Sequence, residues 1–258
     1  LVEQRYLASV FGAFRAAVEE HLPVAVINDW NLNRDDLARY KVLLLPNAAC
    51  LDDAQAAAVE QFVRGGGGLV ASLDASAFDA LGNPRENFAL AAVFGAAHRG
   101  LLKSEGAKEA LDVNFARSIG PDYWEKRQNV FDFRQDPQSW LNGGRMATYV
   151  GAERVTFKGP AVRVETQGSG KAVAALSAKD VANAVEFPAV VANTYGKGRV
   201  AYFAAGLDAA YYAYPYPYQR LALRRAVDWV APEPPPVRVE APMCVHATLM
   251  RQERDGQS

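Results

Sequence analysis

In the first twenty residues, apolar side chains recur at Tyr6, Leu7, Val10, Phe11, Phe14, Ala17 and Val18. This is the i, i+3, i+4, i+7 stripe of an amphipathic helix, and Pro23 ends it. Residues 24–27 form a short, wholly apolar run of the kind that makes a buried strand. A polar turn and a short helix follow, with Asp35 and Asp36 near the helix start. Residues 41–45 read as a second buried strand, stopped by Pro46, which a central ladder does not accept. Asp52 then caps a helix to about Arg64, with Ala56, Val59, Phe62 and Val63 on one face. Four glycines at 65–68 break that helix, and residues 69–73 read as a third strand. Helices and strands alternating through short loops predict a parallel sheet covered by helices on both faces.

The pattern changes near residue 100. Phe131, Phe133, Met146, Val155, Phe157, Val162, Val164 and Val173 fall in short segments separated by Gly, Pro, Asn and Asp, which predicts antiparallel strands or irregular structure. Residues 190–193, the turn Gly196-Lys197-Gly198 and residues 199–204 predict a β-hairpin. A last helix over 218–230 carries Leu223, Ala226, Val227 and Val230 at helical spacing. Glu233-Pro234-Pro235-Pro236 reads as a stiff linker, and residues 237–239 and 244–250 as strands of a following domain. With about three βα units ahead of the β-rich middle, a complete (β/α)8 barrel is excluded, although 258 residues would be long enough for one. The expected organisation is an α/β domain over 1–100 and 188–232, a β-rich insertion over 101–187, and a proline-rich linker with the start of a truncated β domain over 233–258. The chain is expected to be a piece of a longer polypeptide.

Charge removes some functions. Lys and Arg number 28 and Asp and Glu 29, a net charge of −1, so there is no basic field to draw a phosphate backbone, and nucleic acid is not an expected partner. The apolar runs are too short to cross a bilayer. No signal-peptide pattern is visible; compartment stays open, with a soluble, cytoplasmic chain favoured. Cys50 and Cys244 fit no zinc spacing, and His21, His98 and His246 share no short motif, so neither metal nor cofactor is expected. The four glycines follow a helix and open a strand. A phosphate loop needs the reverse order, so they read as a helix cap and turn.

The segment from Tyr40 through Lys41-Val42-Leu43-Leu44-Leu45-Pro46-Asn47, followed by Phe62-Val63-Arg64, the glycines and Leu69-Val70, resembles the class I glutamine amidotransferase-like (flavodoxin-like) fold. It is similar in particular to the β-galactosidase trimerisation domain of family 42 glycosidases. Asp79-Ala80-Leu81-Gly82-Asn83-Pro84-Arg85 and Tyr195-Gly196-Lys197-Gly198-Arg199-Val200 fit as well. The resemblance covers 1–100 and 188–232 and leaves the middle poorly matched. It implies a flavodoxin-like parallel sheet with a β-rich insertion. In catalytic relatives the strand after the glycine turn ends at a nucleophilic Cys; here Asp74 stands in that place. A carboxylate cannot supply activated sulfur, so the resemblance implies a scaffold without glutaminase chemistry.

Asp29, Asn47 and Asp74 lie at or just past expected strand C-termini, the edge where open α/β sheets bind ligands, though capping and turn chemistry also account for them. Trp30 beside Asp29 is a candidate sugar platform or a packed ring. Asp208 opens a segment with tyrosines at 211, 212, 214, 216 and 218. Asp208, Tyr211 and Tyr212 are candidate ligand contacts, and Tyr214, Tyr216 and Tyr218 candidate interface residues; a loop packed over the sheet with bonded hydroxyls is the plainer alternative. Asp122, Glu125, Asp132 and Asp136 of the insertion, near Tyr123, Trp124 and Trp140, are candidates for a glycosidase pair. The expected function is a non-catalytic assembly domain of a glycoside-hydrolase-like protein that self-associates as a trimer or dimer and lines a carbohydrate site. Two alternatives stay open: a stand-alone carbohydrate-binding module, and a glycosidase using the insertion's carboxylates.

Overall fold

The computed structural model describes residues 2–103, 130–149, 154–179 and 181–248. Helix α1 (Val2–Glu19) is followed by a 3-10 turn (Asp29–Asn31), α2 (Arg34–Leu37), β1 (Val42–Leu45), α3 (Asp53–Arg64) and β2 (Gly68–Ser72). Next come α4 (Ala91–Phe94), β3 (Ala96–Leu101), β4 (Val130–Gln135), α5 (Arg145–Tyr149), β5 (Val155–Lys158), β6 (Val162–Thr166) and β7 (Lys171–Ala178). The series ends with β8 (Phe187–Tyr195), β9 (Gly198–Phe203), α6 (Leu207–Ala213) and α7 (Pro217–Val230).

Among the described residues, seven strands form one sheet in the order β1-β2-β9-β8-β7-β4-β5, and β3 pairs with β6 apart from it. Only β1, β2 and β9 run parallel; from β9 outward every neighbour is antiparallel. This corrects the expected flavodoxin-like parallel sheet. The 198–203 strand inserts beside β2, with Leu69 opposite Val200 and Ser72 opposite Phe203. Its hairpin partner β8 must then run the other way, and its far edge accepts β7, β4 and β5. The β-rich middle therefore extends the sheet in place of a further series of βα units.

Two more expectations are corrected. Residues 24–27 are not a strand: Val24 and Val26 are 38% and 70% exposed, and β1 pairs only with β2. An apolar run becomes a strand only where a neighbour takes its hydrogen bonds. Likewise, residues 237–239 and 244–248 form no strand, since no ladder reaches them. The capped helix, in contrast, forms as expected: the Asp52 carboxylate accepts from Gln55 N at 2.7 Å while the Gln55 side chain accepts from Asp52 N at 3.0 Å, a reciprocal box that satisfies two helix-start donors. At its other end Gly65, Gly66 and Gly67 donate to the carbonyls of Gln61, Val63 and Phe62, so these amides close a helix and none is presented to an anion.

The sheet separates two cores, because successive side chains point to opposite faces. Val70, Ala201 and Phe203 pack with Tyr211, Leu221 and Ala222 of α6 and α7. Leu69, Ala71, Val200 and Tyr202 pack with Val59 and Val63 of α3 and with Phe88 and Phe94. Helix α1 lies on the first face, but turned about. Ser9, Ala13, Ala16 and Ala17 are buried, while Tyr6, Leu7, Phe11 and Phe14 are between 42% and 48% exposed. The small residues let the backbones approach: a Cβ built on Gly12 would lie 1.9 Å from the Asp208 carbonyl oxygen of α6.

Candidate functional site

The parallel strands β1 and β2 end side by side, and the chain leaves each through a left-handed residue: Asn47 at φ 50° and Leu73 at φ 52°. Such conformations are uncommon for non-glycine residues, and they concentrate at functional sites when the surroundings hold them. Here they are held. Asn47 N donates to Ser72 Oγ at 2.9 Å, and Asn47 Oδ1 accepts from Asp74 N at 3.1 Å. Leu73 N donates to the Phe203 carbonyl at 2.9 Å, and Tyr202 Oη donates to the Leu73 carbonyl at 2.5 Å. Leu73 is fully buried, so the left-handed residue after β2 is itself no nucleophile.

Just beyond the bend, Asp74 faces His98 of β3, with Oδ1 and Nε2 3.5 Å apart and both side chains mostly buried. The His98 backbone amide is fixed by Asn87 Oδ1 at 2.8 Å, and its ring sits edge-on to Phe88 at 4.9 Å. Its Nε2 is buried and has no hydrogen-bond partner among the described residues. A buried ring nitrogen left unbonded is costly, and the Asp74 carboxylate stands beside it at 3.5 Å. His98 carries no sequence signature: it lies 24 residues beyond Asp74 on a strand of the separate two-stranded pair.

Beneath this edge lies Asp208, 2% exposed. Ser72 Oγ donates to Asp208 Oδ2 at 2.6 Å, and Ala209 N donates to Oδ1 at 2.8 Å. Burial pushes the Asp208 carboxyl up to about 6 from the ordinary 3.8, against the opposing pull of Ser72, the Ala209 amide and Ser9. Because the folded value is raised, the folded state binds more protons than the unfolded chain across that range. The contribution to stability is fully present below about pH 3.8 and is lost as pH rises through about 6. At about 1.4 kcal/mol per pH unit the loss is about 3 kcal/mol. Urea unfolding of Asp208→Asn at pH 4 and at pH 7 is expected to show the variant gaining about this much relative to the natural protein between the two; parallel profiles would contradict it.

Of the candidate residues, the structure brings Asn47 and Asp74 together and sets Asp208 below them. Asp29 belongs to another patch: its carboxylate accepts from Trp30 N and its carbonyl from Gln55 of α3, and the Trp30 ring is 73% exposed. Tyr211 is buried and donates its hydroxyl to Glu19; Tyr218 is buried and donates to the Thr156 carbonyl at 3.2 Å. Tyr212 is half exposed against Phe11, Tyr216 is half exposed and stacked on Tyr218, and the Lys158 ammonium lies 5.9 Å from the Tyr214 ring centre. In the insertion, Asp132 is buried within β4, Asp136 caps a turn by accepting from Gln138 N, and Trp140 stacks on Trp229 at 4.8 Å. Asp122, Tyr123, Trp124 and Glu125 lie outside the described residues. Cys50 is an exposed free thiol. Among the described residues no group of acidic, His and Cys side chains could hold a metal, and no helix is long and apolar enough to cross a membrane.

The family model described as "ThuA: Trehalose utilisation" matches residues 8–230. No curated protein matches the sequence. Among solved structures, a β-galactosidase from Bacillus circulans sp. alkalophilus is similar with a TM-score of 0.59 and 17% identity, over 88% of this chain and 28% of that one. Gan42B, a GH42 β-galactosidase from G. stearothermophilus, gives 0.54 and 19%, over 78% of this chain and 23% of that one. A ThuA-like protein from Bacteroides uniformis gives 0.54 and 16%, over 87% and 86%. The chain thus spans about a quarter of the galactosidases and nearly all of the ThuA-like protein. At these identities the likeness is one of fold.

Proposed function

We propose, from the premise that this chain belongs to the ThuA family, that it is a non-catalytic α/β domain. In this reading it holds a sugar hydroxyl pair at the C-terminal edge of β1 and β2 and self-associates as an accessory unit of a larger glycoside-hydrolase-like protein. The observation that carries the binding part is the buried His98 Nε2, without a hydrogen-bond partner among the described residues and 3.5 Å from Asp74. A donor–acceptor pair at that spacing suits vicinal hydroxyls, and the buried Leu73 at the bend supports binding over covalent catalysis. The trehalose-utilisation description of the family and the galactosidases that contain this fold support a carbohydrate.

Calorimetric titration with trehalose, glucose and galactose tests the binding. Saturable binding of at least one is expected, weakened about tenfold or more by Asp74→Ala and by His98→Ala, as the loss of a buried charged hydrogen bond implies. Absence of saturable binding, or binding indifferent to both changes, would contradict it.

Self-association is supported by the outward row on α1. Leu7, Phe11 and Phe14 with Tyr6, joined by Tyr212 through its ring contact with Phe11 at 5.8 Å, expose on the order of 400 Å² of apolar surface, a size at which a patch is often functional. A second copy of the chain is the proposed occupant, with Tyr216 extending the contact. Native mass spectrometry is expected to show a dimer or trimer that Phe11→Glu with Phe14→Glu reduces to monomer; a monomeric natural protein would contradict this. The near-complete match to a ThuA-like protein favours a second reading, a stand-alone binding module, in which sugar binding persists and self-association is absent.

A further inference from the structure

Asp208 is 2% exposed, yet it is bonded into a chain of contacts that runs from the interior to the sheet edge. Its Oδ2 receives the Ser72 hydroxyl at 2.6 Å; Ser72 Oγ receives Asn47 N–H at 2.9 Å; Asn47 Oδ1 receives Asp74 N–H at 3.1 Å. We propose that Asp208 is a positioning residue: by accepting the hydrogen bond of the Ser72 hydroxyl it turns the serine lone pairs toward Asn47 and so holds the left-handed Asn47 turn that fixes Asp74 opposite His98.

A serine hydroxyl has one proton and two acceptor lone pairs. While Asp208 is ionised, the proton has an acceptor and a lone pair is free for Asn47. When Asp208 is protonated on Oδ2, that oxygen becomes the donor. Ser72 then faces two donors, and its own proton loses the carboxylate as its acceptor, a costly change in a closed site. The relay therefore has two hydrogen-bond patterns, and the charge on Asp208 selects between them. Nothing ionic competes for that choice among the groups facing the carboxyl: Ser72 from β2, Ser9 from α1, and the amides of Asp208 and Ala209 on α6. The Gly12 backbone packs directly on the Asp208 carbonyl, and Asp208 is 2% exposed. Asp74 and His98 are the titratable groups at the outer end of the relay.

The inference needs no ligand, so its test is separate from that of sugar binding. Two-dimensional NMR of the 15N-labelled full chain is recorded from pH 4.5 to 8 with His98→Gln as the background, so that no imidazole faces Asp74. The Asn47 and Asp74 amide signals are expected to shift together with one midpoint at about 6, the value of Asp208. Asp208→Asn is expected to flatten both curves. Ser72→Ala is expected to flatten the Asp74 curve while the Ala209 amide, bonded directly to Asp208, still titrates. This second variant keeps the carboxyl and guards against a misfolded Asp208→Asn. The same midpoint at Asn47 and Asp74 in both variants would overturn the proposal, as would amides that do not move in the background protein.

Discussion

Replacing Arg220 with alanine is expected to destabilise the fold by about 3–5 kcal/mol, the range for a buried ion pair deprived of one partner. Arg220 Nε donates to Glu20 Oε1 at 2.7 Å, with the two side chains 10% and 3% exposed. Its Nη1 lies 3.5 Å from Glu19, whose carboxyl accepts from Tyr211 and from Arg15. Burial pushes Glu19 up, but the bonds from Tyr211 and Arg15 outweigh it and hold the carboxyl below the usual range. Without Arg220, the Glu20 carboxylate would keep, among the described residues, the largely exposed Arg145 at 2.5 Å, and the end of α1 would be held to α7 through Arg224, which donates to the Glu20 carbonyl at 2.7 Å. Urea denaturation at pH 7 measures the loss; a change under about 1 kcal/mol, the size of a surface pair, would contradict the role given to this cluster.

The second large effect opposes helix propensity. Alanine in place of Gly12 should stabilise an exposed helix by about 1 kcal/mol. In α1 the added Cβ would meet the Asp208 carbonyl oxygen at 1.9 Å and carbon at 2.7 Å. Backbone cannot swing aside as a side chain does, so α1 must lift from α6. A loss of about 2–3 kcal/mol is expected, at the upper end of overpacking. Any gain in the thermal midpoint of Gly12→Ala would show that the helices are not this close.

These two sites show what the sequence could and could not convey. The period of α1 was legible, since Leu7, Phe11 and Phe14 repeat as a helix repeats. Which side faces inward was not, because close approach through Ser9, Gly12 and Ala13 depends on a partner helix about 200 positions away. The α3 cap at Asp52, the strand at 42–45 and the 190–204 hairpin were legible because their signals are local. The 24–27 run was misleading for the opposite reason: a strand is made by its neighbour, and β1 offers none on that side. The same non-locality concealed the antiparallel extension of the sheet. At the site, Asn47 and Asp74 could be placed at strand ends by counting. His98 and the Ser72–Asp208 bond could not, because nothing near them in sequence marks a pairing across 24 or 136 positions.

The most direct test is to see where a sugar touches the protein. With 15N-labelled chain titrated by trehalose, glucose or galactose, the binding sugar is expected to shift the His98 ring nitrogen and the Asn47 and Asp74 amides first and most, along one saturation curve. Shifts confined to the exposed Trp30 patch or to the tyrosines of α6, with His98 unmoved at saturation, would contradict a binding site at the end of β1 and β2.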